Sequence, residues 1–73
     1  MKMTSPMTRI AKTTVNNSFI STVYIGYLDL LFETMVFGGK LDGVMDRCDT
    51  QEEALKMHER MVERVKKSYE NKA

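Results

Sequence analysis

Leu30-Leu31-Phe32-Glu33-Thr34-Met35-Val36-Phe37, running straight into Gly38-Gly39, is the stretch that decides how this chain reads. It is short, apolar and closed by glycines, which marks a strand, and a central one. Side chains alternate across a strand, so Leu30, Phe32, Thr34 and Val36 point one way and Leu31, Glu33, Met35 and Phe37 the other. Both sets are largely apolar. A single covering layer buries only one of them, so the second face needs another cover, and a second copy of the chain is the simplest one.

Working outward, Phe19 to Tyr27 is rich in β-formers and reads as the preceding strand. Arg9 to Val15 is a weaker strand, joined to it by the turn-forming Asn16-Asn17-Ser18. On the other side, Gly38-Gly39-Lys40-Leu41-Asp42-Gly43 reads as a hairpin loop, with a short return strand over Gly43 to Cys48. The composition changes at Asp49. Thr50 and Glu53 form a T-x-x-E capping box. Ala54, Leu55, Met57, His58, Met61, Val62, Val65 and Tyr69 then fall on one helical stripe, with Glu52, Lys56, Glu59, Arg60, Glu63, Lys67 and Glu70 on the other side. Acids lead the segment and lysines end it, as the helix dipole favours. The expectation is a single α+β domain over residues 1–73. Residues 1–6 should be disordered, residues 7–48 should form an antiparallel β-meander, and one long helix should run over 50–71, in the order β-β-β-β-α.

The 73 residues allow one core only, and a chain of this size hides about 60% of its unfolded surface. Cys48 is the only cysteine, which excludes an internal disulfide and suits a reducing compartment. One Cys and one His do not supply the four ligands of a closed zinc site, so no metal or other cofactor is expected. No run approaches the roughly 20 apolar residues of a membrane span, and no signal-peptide pattern leads the chain. The expected location is the cytoplasm, with no membrane partner. The formal net charge is +1, with Lys2, Arg9 and Lys12 unopposed by acids over residues 1–15 and a balanced C-terminal segment. That is neither the strong basic field of a dedicated DNA binder nor the acidic surface of a DNA mimic, and it disfavours nucleic acid as a partner.

Four residues stand out chemically. His58 sits in the apolar stripe of the helix, where a buried imidazole needs partners for both ring nitrogens. It is either a core histidine bonded to a backbone carbonyl or to Glu33, or a group facing a ligand. Glu33 lies inside an apolar strand and needs a counter-charge, with Arg47 on the adjacent strand its natural partner and His58 the other candidate. A structural Glu33–Arg47 pair is one reading. A polar pocket of Glu33, Thr34, Arg47 and His58 is the other. The Gly38-Gly39-Lys40 loop lacks the spacing and following helix of a phosphate loop and reads as a turn. Nothing in the sequence around Cys48 marks a lowered pKa. Tyr24, Tyr27 and Phe37 could make an aromatic surface, although their strands add no Lys or Arg to it. Met57 and Met61 are expected in the helix–sheet core and Met35 on the other face. No catalytic constellation is visible, so the chain reads as a non-enzyme.

Three segments carry a resemblance. Ile20-Ser21-Thr22-Val23-Tyr24-Ile25-Gly26, then Leu30 to Gly38, then Arg47-Cys48-Asp49-Thr50-Gln51-Glu52-Glu53-Ala54 with His58 following, resemble an uncharacterised family of short bacteriophage and prophage proteins. The shared pattern is S-T-V-x-x-G, L-L-F-E-T-M-V-F and R-x-x-T-x-E-E-A-x-x-x-H, and it contains Glu33, Thr34, Arg47 and His58. Family sequences often carry a longer Gly- and Pro-containing loop with Asp-His between the second and third strands, where this chain has only Tyr27-Leu28-Asp29. The resemblance implies phage origin and carries no established activity. Taken with the small size and two-sided strand, it implies an accessory protein that binds a host macromolecule or defence component as a homodimer or larger assembly. The alternatives are a small-ligand or nucleotide sponge using Glu33, Thr34, Arg47 and His58, and a nucleic-acid binder using residues 9–15.

Overall fold

A computed structural model describes residues 8–27 and 30–70. The deciding stretch is strand β3 (Leu30–Phe37), the third of four antiparallel strands in one sheet. It lies between β2 (Ser18–Tyr27) and β4 (Met45–Cys48), with β1 (Thr8–Val15) on the far edge beyond β2. Helix α1 (Gln51–Tyr69) follows and packs across all four strands on one face. The architecture is the expected α+β meander closed by one C-terminal helix. The expected disorder of residues 1–6 and the final residue of the expected helix, Asn71, lie outside the described residues.

The helix starts where its capping chemistry dictates. The Glu53 backbone N–H donates to Thr50 Oγ1 at 3.1 Å, satisfying one of the donors that the first turn leaves open. Ala54, Met57, Met61, Val62 and Val65 are buried beneath it against Ile20, Phe32 and Val36 of the sheet. Fully burying a side chain of this kind contributes roughly 1.5–3 kcal/mol. Met57 and Met61 occupy the helix–sheet core as expected, and Met35 points away from it. Leu55 departs from the expected stripe: it is 47% exposed, because the helix contacts the sheet along a narrower line than the apolar residues cover.

Register fixes the two faces of the sheet. Ile20 pairs with Val36, Thr22 with Thr34 and Tyr24 with Phe32, which places these residues under the helix. Phe19–Phe37, Ser21–Met35 and Val23–Glu33 are the intervening pairs and point outward. On β1 the register shifts between Arg9 and Ala11, a bulge at Ile10. Arg9 therefore pairs with Val23 on the outer side while Ala11 pairs with Thr22 on the inner side, and Ile10 packs at the Phe32–Ala54–Met57 cluster.

The loop from β3 to β4 is held against both the first hairpin and the end of the helix. Ser18 Oγ donates to the Gly38 carbonyl at 2.8 Å and lies 2.8 Å from the Tyr69 hydroxyl. Gly38 and Gly39 have φ of 88° and 77°, a region open mainly to glycine. A Cβ on Gly38 would run into the Asn17 carbonyl oxygen, and one on Gly39 into Ser18 Oγ and the Tyr69 hydroxyl.

Candidate functional site

The inner face carries a buried polar chain. Thr22 and Thr34 are adjacent across β2 and β3, both fully buried, and their hydroxyls are hydrogen-bonded at 2.5 Å. Thr22 Oγ1 also meets His58 Nδ1 at 2.7 Å, and the opposite ring nitrogen, Nε2, meets Thr13 Oγ1 of β1 at 2.9 Å. Both nitrogens of His58 are thus satisfied by hydroxyls that donate or accept as the tautomer requires. Burial pushes the imidazole below its usual range, and Glu59 pulls the other way without offsetting it. A neutral ring linking helix to sheet is what this environment favours. Neither of the partners expected from the sequence, a backbone carbonyl or Glu33, bonds this histidine: the shared face puts it among threonines instead.

Glu33 lies on the opposite side of the sheet. Its Oε2 accepts from Arg47 Nε at 3.1 Å, the cross-strand pairing expected from the sequence. Arg47 is exposed and Glu33 partly so, which makes this a surface ion pair. The four candidate residues Glu33, Thr34, Arg47 and His58 therefore do not meet in one pocket. Thr34 and His58 are sealed between sheet and helix, whereas Glu33 and Arg47 face outward. Neighbouring strand residues must diverge in this way, so Glu33 and Thr34 belong to different layers.

The outer face holds a groove of about 370 Å³ lined by Arg9, Ser21, Val23, Glu33, Met35 and Phe37. At its end Phe37 is 48% exposed and forms a tilted ring pair with Phe19, centroids 6.3 Å apart. The Arg9 guanidinium lies 5.2 Å above the Phe19 ring centre, close enough for a cation–π contact. Lys12 pairs with Ser21 and so lies on the same face, and Met45 extends the apolar surface on β4. Ser21 is only 6% exposed, yet its hydroxyl has no protein partner among the described residues.

The aromatic surface read from the sequence is composed differently. Tyr24 packs on Phe32 with centroids 5.2 Å apart, on the helix side, and the side chain of Tyr27 lies outside the described residues. Phe37 keeps its outward position and gains Phe19 as its neighbour. Phe19 was legible as a strand residue, but its face follows only from the two-residue turn at Asn16-Asn17, which sets the β1–β2 register.

Cys48 is half-buried and donates to the Thr50 carbonyl at 3.5 Å. Burial pushes its thiol up, the Thr50 hydrogen bond opposes this, and Glu53, Asp49 and Asp46 add to the rise, so it is a poor nucleophile at neutral pH. Among the described residues no group of three or more His, Cys, Asp or Glu is arranged to hold a metal, and no helix is long and apolar enough to cross a membrane. Compared with protein-family models, curated proteins and solved structures, the chain has no significant match in any of the three.

Proposed function

We propose that this chain is a small, non-catalytic phage accessory protein that binds a host macromolecule or defence component, and that its working surface is the sheet face opposite α1. The observation that carries the reading is the division between the two faces. The inner polar groups are committed to one another, while the outer face leaves Phe37, Met45 and the Ser21 hydroxyl available around a groove. Exposed apolar surface of this kind, rimmed by charge, marks interaction sites. The phage assignment rests on the sequence resemblance, and the free thiol of Cys48 supports a reducing cytoplasm as the place of action.

The test compares the wild-type chain with Phe37→Asp as baits in host lysate, after circular dichroism has established that both are folded. A component retained by the wild type and lost with the variant is the expected result. Equal retention by both would overturn the assignment of the surface.

Self-association is the second reading, favoured by the two-sided apolar strand β3. Sedimentation equilibrium separates it from the first: a dimer that Phe37→Asp dissolves would mean that copies of this chain cover the face. A small-ligand sponge fits the volume of the groove, which lies within the roughly 300–1,000 Å³ usual for such sites. Its ligand contacts would then be Arg9, Ser21 and Glu33, not Thr34 or His58. Thermal-shift screening with cyclic and ADP-ribose-type nucleotides tests it, and no shift would remove its support.

A further inference from the structure

We infer that the occupant of the outer sheet face is single-stranded nucleic acid, with a base stacked on Phe37 and backbone phosphates on Arg9 and Lys12. This rests on the outer face being the working surface. Three features of the face point the same way. Among the described residues it carries three bases, Arg9, Lys12 and Arg47, against one acid, Glu33, and that acid is already neutralised by Arg47. Arg9 and Lys12 are in no ion pair among the described residues. The positive surplus therefore sits along β1, beside the aromatic pair.

The second feature is the aromatic pair itself. Phe37 offers an exposed ring, and Arg9 is held over Phe19 in the stacked arrangement from which a guanidinium can still reach a phosphate. Sheets that bind single strands combine these two elements, stacking platforms and a cationic track. The third is the Ser21 hydroxyl, which has no protein partner among the described residues and is open to solvent in the groove that Glu33 also lines. Together they supply a donor and acceptors for the edge of a base.

The same charge weighs against a second copy as the occupant, because an isologous pair would set this positive surface against itself. A duplex is disfavoured too, since its bases are stacked inside and the face projects no helix or ribbon into a groove. The low net charge of the whole chain argued against nucleic acid in the sequence. The bulge at Ile10 changes that balance by putting Arg9 on the face of Phe19 and Phe37.

The experiment is fluorescence anisotropy with labelled oligo(dT) and oligo(U) of about 10 nucleotides, within the span of known single-strand sites. Duplex DNA of equal length and unlabelled AMP serve as competitors. The expected result is binding at about 50 mM salt that weakens with a log–log slope near −1.4, for two phosphate contacts on a single strand. Lys12→Ala should bring that slope to about −0.7. Phe37→Ala should weaken binding by roughly tenfold or more while its thermal melt stays cooperative.

No binding at low salt, preference for the duplex, or a slope unchanged by Lys12→Ala would overturn the inference. Displacement by AMP as effective as by unlabelled oligomer would also overturn it and assign the groove to free nucleotides. An acidic host protein retained by the wild type and lost with Phe37→Ala, with no oligomer bound, would refute nucleic acid and keep the surface. Oligomer bound equally by wild type and Phe37→Ala would refute the surface itself.

Discussion

Replacing Thr22 by valine keeps its shape and removes one hydroxyl, and the structure makes that hydroxyl expensive to lose. Thr22 Oγ1 is the shared partner of Thr34 Oγ1 and His58 Nδ1, and all three residues are buried. Deleting it leaves one hydroxyl and one ring nitrogen unpaired, at about 1–3 kcal/mol each, so the expected loss is about 2–6 kcal/mol. A 73-residue domain has only about 4–11 kcal/mol in total, so the variant should sit close to unfolding. Thr34→Val should cost about 1 kcal/mol, because Thr22 keeps His58 as its partner. Thr13→Val should cost little more, since β1 is an edge strand, Thr13 is only partly buried and water can replace its hydroxyl at Nε2. Replacing the whole group, Thr22→Val with Thr34→Val and His58→Leu, should recover much of the loss, because the one hydroxyl left without a partner, that of Thr13, is only partly buried and can turn to water. Urea denaturation measures all four. A Thr22→Val midpoint within about 0.5 kcal/mol of wild type, or a triple variant as weak as the sum of its parts, would refute the network as the cause.

Acid should destabilise the fold through His58: its folded pKa is depressed by burial, so the unfolded chain binds the proton first. Stability is then full above the unfolded value of about 6.5 and falls as pH drops from there toward the folded pKa. His58→Leu should flatten that segment of a stability–pH curve, and an unchanged slope would count against it. Gly39→Ala should lose about 1–3 kcal/mol, as the added methyl meets Ser18 and Tyr69 in a left-handed backbone, whereas Gly43→Ala meets only the backbone strain. Equal thermal shifts for the two would contradict the packing argument. Glu33→Gln should change stability by less than about 1 kcal/mol, since its partner Arg47 is exposed, and a larger loss in urea titration would mean the pair is more structural than its position implies. Cys48 should alkylate slowly at neutral pH and faster as pH rises; rapid modification by iodoacetamide at pH 7 would disprove the raised thiol pKa.

What the sequence made legible was whatever depends on neighbours in the chain. The Thr50 cap, the apolar stripe from Ala54 to Val65 and the glycine-bounded strand β3 all follow from local spacing, and they recur in the structure with small shifts of boundary. The Glu33–Arg47 pair was within reach because a hairpin fixes which residues face each other. The partners of His58 were not. They come from β1 and β2, and Thr13 reaches the ring only if the helix crosses the sheet at one particular angle and height. The bulge at Ile10 was equally hidden, because its sequence carries no glycine or proline to announce it. Grouping Glu33 with Thr34 failed for a simpler reason: consecutive strand residues face opposite ways, and the alternation that divides the apolar residues of β3 divides these two as well.

The helix that seals the inner face is made after every strand, and that ordering has a consequence for how the molecule comes into being. The contacts that join it to the sheet span long separations, 45 residues for Thr13 to His58 and 51 for Ser18 to Tyr69. A ribosome working at about 5–20 residues per second needs roughly 1–4 s to produce the 19 residues of α1. Throughout that interval the nascent meander has nothing over Ile20, Phe32 and Val36, and its two central threonines have no imidazole to meet. Folding is thereby deferred until α1 has been made, and a cell meets this domain either as an open strand ladder in need of shelter or as the finished fold.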